Sequence, residues 1–130
     1  MDDRQLTHTM LEAETWAVVG ANADPDRTGY QIYSTLKANG YRVYAVNPRH
    51  AQIDGDPCYP DLSSLPERPE VVDMVVSPEH GRAVVEEAGR LGVPYIWFQP
   101  GTHEPDLFRR ARELGMAPLR HCVLAALGSR

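Results

Sequence analysis

Residues 15–29 read TWAVVGANADPDRTG, and the fold is decided there. Residues 15–20 are a compact apolar, β-branched run closed by Gly20, the pattern of a buried strand. A loop bounded by Gly20 and Gly29 then opens a helix, with Thr28 placed as its cap and Ile32, Tyr33 and Leu36 as its apolar stripe up to Gly40. Strand, glycine loop and helix are the first half of a βαβ unit, whose next strand runs parallel to the first. Residues 41–47 (YRVYAVN) supply that strand, and Pro48, which has no N–H for a ladder, ends it.

Further on, Asp54-Gly55 is a hairpin signal, prolines punctuate residues 49–70, and Leu62 and Leu65 can anchor one helical turn, so an edge hairpin and a short helix are expected. Residues 71–76 (VVDMVV) are the most continuous apolar strand, as in the middle of a parallel sheet. Asp73 within it calls for a place at the strand's end or a partner, because an unpaired buried carboxylate is costly. Ser77 as N-cap, Pro78 at the first helical position and Glu79 start a helix that carries Val84, Ala88 and Leu91 and stops near Gly92. A strand over 94–98, a turn over 99–102 and a helix marked by Leu107, Phe108, Ala111 and Leu114 come next. A last strand over 116–119 leads to a helical turn over 122–127 that packs Val123, Leu124 and Leu127. Leu6, Met10 and Leu11 make residues 1–14 an N-terminal helical extension of one domain spanning 1–130. This order demands right-handed crossovers: an α/β, doubly wound, mostly parallel sheet of five to six strands with helices on both faces. Such sheets bind ligands at the carboxyl ends of their strands, where strand order reverses.

With 130 residues, 42% of them hydrophobic, the chain can bury one core without disulfides or a structural metal. Eighteen acids against thirteen bases give a net charge of −5, the wrong sign for tracking nucleic acid, although a few local groups can still hold a small anion. Cys58 and Cys122 form no metal or redox motif, so reduced thiols are expected. The acidic start leads into no secretory apolar core and no run is long enough to span a bilayer, which points to a cytoplasmic protein.

The loop after the first strand offers helix N–H groups and Arg27, a fit for pyrophosphate, but a tight βα turn would use the same two glycines. Its spacing is not G-x-G-x-x-G. The second strand ends in Asn47-Pro48-Arg49-His50, where a base in place of the acid that holds a ribose diol favours a phosphorylated ribose; a solvated surface base is the alternative for Arg49. His50, His80, His103 and His121 stand in no catalytic motif, and Cys122 reads as a small buried apolar residue. No catalytic or metal-binding set emerges.

Val19-Gly20-Ala21, the run from Pro25 to Tyr30, the run from Gly40 to Pro48, Asp54-Gly55, Cys58-Tyr59-Pro60-Asp61-Leu62, Val75 to Pro78, and Ile96-Trp97-Phe98-Gln99-Pro100-Gly101 together resemble the small stand-alone CoA-binding proteins. These are similar to the N-terminal domain of the succinyl-CoA synthetase α subunit. The resemblance implies a Rossmann-like sheet with coenzyme A as ligand. By position, Gly20, Ala21, Arg27, Thr28 and Gly29 match the phosphate loop, and Asn47, Pro48 and Arg49 match the segment beside the adenosine. Val76, Ser77 and Pro78 match the strand end near the nucleotide or the start of the pantetheine arm, and Gln99, Pro100 and Gly101 match the strand end after it. Where relatives carry an Asn-Arg-Cys-Pro-like turn, this chain has Arg120-His121-Cys122-Val123. No histidine inherits the synthetase's phosphohistidine role, so the expectation is a non-catalytic module for CoA or acyl-CoA. An NADP-binding oxidoreductase or NADP sensor is the alternative, and an interaction protein that regulates a partner CoA enzyme and uses the ligand as a signal is a third reading.

Overall fold

The computed structural model describes residues 1–129. Helix α1 (Asp3–Leu11) precedes β1 (Thr15–Val19), α2 (Thr28–Ala38) and β2 (Arg42–Val46). A hairpin of β3 (Gln52–Ile53) and β4 (Asp56–Tyr59) leads through a 3₁₀ turn (Leu62–Ser64) to β5 (Val71–Met74). Then come α3 (Pro78–Leu91), β6 (Tyr95–Phe98), α4 (Pro105–Glu113), β7 (Ala117–Arg120) and α5 (Val123–Gly128). Among the described residues the strands form one sheet of seven, ordered β3-β4-β2-β1-β5-β6-β7. All pairs are parallel except β3 with β4. The sheet exceeds the expected five to six strands because both arms of the hairpin join it, β4 pairing with β2.

Alternation along the strands sends neighbours to opposite faces. Trp16, Val18, Val71, Trp97 and Leu119 meet α1, α2 and α5 on one side, through Leu6, Met10, Ile32, Leu36 and Val123. Ala17, Val19, Val72, Met74, Ile96 and Phe98 meet the 3₁₀ turn, α3 and α4 on the other, through Leu62, Val85, Ala88, Leu107 and Ala111. Burying a side chain of the Leu, Ile or Phe class stabilises by roughly 1.5–3 kcal/mol, so both layers contribute heavily. Trp16 packs against Trp97 and Tyr41, with ring centroids 5.6 Å apart in each pair.

Local chemistry sets the ends of the elements. Helix α2 stops in a Schellman pair, Tyr41 N–H donating to Leu36 and Gly40 N–H to Lys37. The hairpin turns on Asp54 and Gly55 at φ 54° and 79°, the type I′ geometry that Asp-Gly favours. In β7, Ala117 N–H bonds back to Pro94 and His121 N–H to Phe98, and Pro118 lies between them.

Three local expectations need correction. Arg27, not Thr28, occupies the N-cap of α2, because Asx turns at Asn22 and Asp24 wind the loop so that the Arg27 carbonyl accepts the first helical N–H groups. Regular strand β5 ends at Met74, although Val75 N–H still bonds to Val19. Cys122 is half-buried, since it caps α5 at the sheet's margin; Cys58 in β4 is buried. Among the described residues no helix is long and apolar enough to cross a membrane.

Candidate functional site

Strand order reverses about β1, whose successor β2 lies on one side while β5 lies on the other. The carboxyl ends of these three strands are therefore where a ligand would be held. Gly20, at φ 102°, turns the chain off β1 while its N–H donates to Val46 of β2 at 2.9 Å. A β-carbon there would stand 2.7 Å from the Val75 carbonyl oxygen, so only glycine lets β1 end this close to β5. Asn47 fixes the end of β2. Its side-chain amide donates to the Ala21 carbonyl and its side-chain oxygen accepts the Arg49 N–H, each at 2.9 Å.

A cavity of about 600 Å³ opens beside these ends, on the α3 side of the sheet. Val19, Val46, Leu62, Val75 and Val76 give it an apolar floor; Asn47, Pro48 and Arg49 form one rim and Ser77 and His80 another. Helix α3 lines it with the stripe His80, Ala83, Val84, Glu87 and Arg90, one face at helical spacing. Glu87 locks the opposite wall, accepting from Leu62 N–H at 3.1 Å, Ser63 N–H at 3.2 Å and the Ser63 hydroxyl at 2.8 Å.

Charge within the cavity is unevenly satisfied. Glu86 and Glu87, the carboxylates one turn before Arg90, are engaged elsewhere: Arg110 holds Glu86 at 2.5 and 2.9 Å, and the 3₁₀ turn holds Glu87. Among the described residues Arg49 lines the cavity without an ion pair, and Arg90 lines it with only the longer-range attraction of Glu86. Arg27 stands 3.9 Å from Asp24 in an exposed pair. Ser77 Oγ and His80 Nδ1 are 2.8 Å apart at the start of α3, so the Ser77 hydroxyl meets a side chain three residues on and, among the described residues, no backbone N–H of the helix.

Of the residues singled out from the sequence, Gly20, Asn47, Pro48, Arg49, Val76 and Ser77 line this cavity. Ala21 is buried behind it, bonded through its carbonyl to Asn47, and Pro78 is the first residue of α3. Arg27, Thr28 and Gly29 lie outside the cavity, where α2 begins against Gly20. Gln99 is buried at 3% exposure with both ends of its amide bonded, to Asp73 and to the Val123 N–H, while Pro100 and Gly101 form the exposed turn after β6. The Pro60-Asp61-Leu62 wall and the α3 stripe were not singled out as site residues. The apolar stripe expected on α3, Val84, Ala88 and Leu91, shares only Val84 with this face, and nothing local in the sequence marks the face as bordering a cavity.

Among the described residues no cluster of His, Cys, Asp or Glu could hold a metal ion. Burial pushes the Cys58 thiol up from its ordinary value.

The chain matches the family described as CoA binding domain over residues 14–128. It is 38% identical over 77 residues to the ADP-forming acetate–CoA ligase I of Archaeoglobus fulgidus, a match covering 59% of this chain and 11% of that protein. The chain thus corresponds to only a small part of that relative's length. Among solved structures, a hypothetical protein from Pyrococcus horikoshii OT3 superposes with a TM-score of 0.92 at 29% identity, covering 99% of this chain and 92% of the other. The dinucleotide-forming acetyl-coenzyme A synthetase 1 of Ca. Korarchaeum cryptofilum, in complex with phosphate and ADP, superposes with a TM-score of 0.75 at 31% identity. That match covers 82% of this chain and 25% of the synthetase.

Proposed function

Because the chain belongs to the CoA-binding domain family, we propose that it binds coenzyme A, or an acyl-CoA, at the carboxyl edge of its sheet as a non-catalytic binding or regulatory module. The observation that carries this reading is the cavity, whose apolar floor and lining by Arg49 and Arg90 suit a purine nucleoside bearing phosphate. In this reading the pyrophosphate lies over Gly20, Ala21, Arg27, Thr28 and Gly29, where α2 supplies N–H groups and the positive end of its dipole. The adenosine enters the cavity against Asn47 and Pro48, with Arg49 near its phosphorylated ribose. Val76, Ser77 and Pro78 border the nucleotide or the start of the pantetheine arm, and Gln99, Pro100 and Gly101 form the next strand end along it. A reduced cytoplasm, in which Cys58 and Cys122 stay as thiols, suits this ligand.

A base after β2 is also compatible with NADP, so the test sets the two ligands against each other. Calorimetry with CoA, dephospho-CoA and NADP, together with mass spectrometry of whatever co-purifies, is expected to show CoA bound most tightly. Tight binding of NADP with no response to CoA would overturn the reading. A regulatory role is tested by pull-downs with and without CoA; an identical set of recovered proteins would count against it.

A further inference from the structure

Asp73 takes no part in the cavity. It is fully buried in β5, in register with Val18 of β1 and Trp97 of β6. Its Oδ1 accepts from Gln99 Nε2 at 2.7 Å, while its Oδ2 has no hydrogen-bond partner among the described residues. Gln99 turns its other end to α5, where its Oε1 accepts the N–H of Val123, the first helical residue, at 3.2 Å. On the adjacent strand the Trp97 indole donates to the His121 carbonyl at 2.7 Å and its ring stacks on the His121 imidazole. The entry to α5 is thus tied to the sheet by two links, and one of them ends on a carboxyl group.

A carboxyl with one donor in a dry site is tolerable when neutral and costly when charged; burial pushes Asp73 up to about 7, outweighing the Gln99 hydrogen bond, which by itself favours the charge. The least costly relief for a charge there is local opening that admits water, and it falls to the element with the least anchorage. Helix α5 is the shortest helix on that face: it has six residues, with Val123 and Ala126 buried and Leu124 and Leu127 only partly so.

We propose that Asp73 is a positioning residue that, with Gln99, holds the first turn of α5 on the sheet while its site stays dry, and that the cost of a buried charge, once Asp73 ionises, lets α5 lift from the carboxyl edge so that water can enter. Among the described residues nothing else on that face is bonded to Asp73. The ionisable groups of α2 are Tyr30, Tyr33 and Lys37, which face Asp54 and Asp56 of the hairpin. Asp3, Arg4 and His8 of α1 are exposed. Strand β1 and helix α5 carry no ionisable side chain, β6 carries only Tyr95, and Arg120, His121 and Cys122 stand where β7 enters α5.

The test is hydrogen exchange of the Val123 and Ala126 amides in the full chain between pH 5.5 and 8.5, corrected for intrinsic rates, with α3 amides as reference. Protection in α5 is expected to fall about tenfold or more across this range while α3 holds. Asp73→Asn, which keeps an acceptor for Gln99 but cannot charge, is expected to keep α5 protected at both ends of the range. Gln99→Leu, which cuts the link, should leave α5 poorly protected throughout. Protection of α5 that is insensitive to pH in the wild type, or an unchanged pH response in Asp73→Asn, would overturn the proposal. If Asp73→Asn does not fold, wild-type protection and pH response in Gln99→Leu would overturn it equally.

Discussion

Gly29 packs so closely on Gly20 that a β-carbon at position 29 would stand 2.0 Å from the Gly20 carbonyl oxygen. The obstacle is backbone, which cannot swing aside as a side chain can. Gly29→Ala should therefore force the start of α2 away from β1 and destabilise the fold by about 3 kcal/mol, the upper end of overpacking costs. Urea unfolding measures this, and a loss under about 1 kcal/mol would show that the two segments separate easily.

The Asp73 carboxyl, ordinarily at 3.8, is pushed up to about 7 by burial. The folded chain thus keeps a proton that the unfolded chain gives up at lower pH. The stability tied to that proton is complete below 3.8 and is lost as pH rises through about 7. Between pH 5 and 8 the wild type should lose up to about 3 kcal/mol relative to Asp73→Asn, read as the difference between their urea unfolding curves. Parallel curves for the two proteins would contradict the buried, poorly solvated carboxyl.

Arg49→Ala should weaken CoA more than dephospho-CoA. A charge-assisted contact contributes about 1.5–3 kcal/mol, so roughly a tenfold to hundredfold loss is expected for the phosphorylated ligand alone. Titration calorimetry on both ligands decides it, because equal losses would mean that Arg49 does not sense the 3′-phosphate.

Glu87→Ala removes the acceptor for two backbone N–H groups and one hydroxyl in the 3₁₀ turn. Leu62 and the wall it belongs to should loosen, with a stability loss of about 1–3 kcal/mol. Exchange of the Leu62 and Ser63 amides should speed up in parallel. Unchanged exchange at those two amides would show that the wall stands without Glu87.

The parallel sheet and its carboxyl-edge loops were legible because strand runs, glycine stops and the Ser77-Pro78 helix start are local signals. The hairpin, too, followed from Asp54-Gly55 alone. What escaped was set by contacts distant in sequence. The reach of Glu87 to the 3₁₀ turn, the binding of Glu86 by Arg110, and the pairing of Asp73 with Gln99 each join residues from different elements. Periodicity marks a helix face without naming what lies opposite. The Asx turns before α2 explain why the cap fell one residue early, since competing side-chain bonds in the loop decided where helical backbone began.

Pro118 gives the outer margin of the sheet a further property. In β7 the N–H groups of Ala117 and His121 turn inward to the β6 side, so the residue between Ala117 and Leu119 presents its backbone nitrogen outward, and that nitrogen carries no hydrogen. At the opposite margin β3 is only two residues long. A foreign strand finds no continuous row of donors at either side, so sheet-to-sheet polymerisation is disfavoured and contacts between molecules are left to the helices and loops.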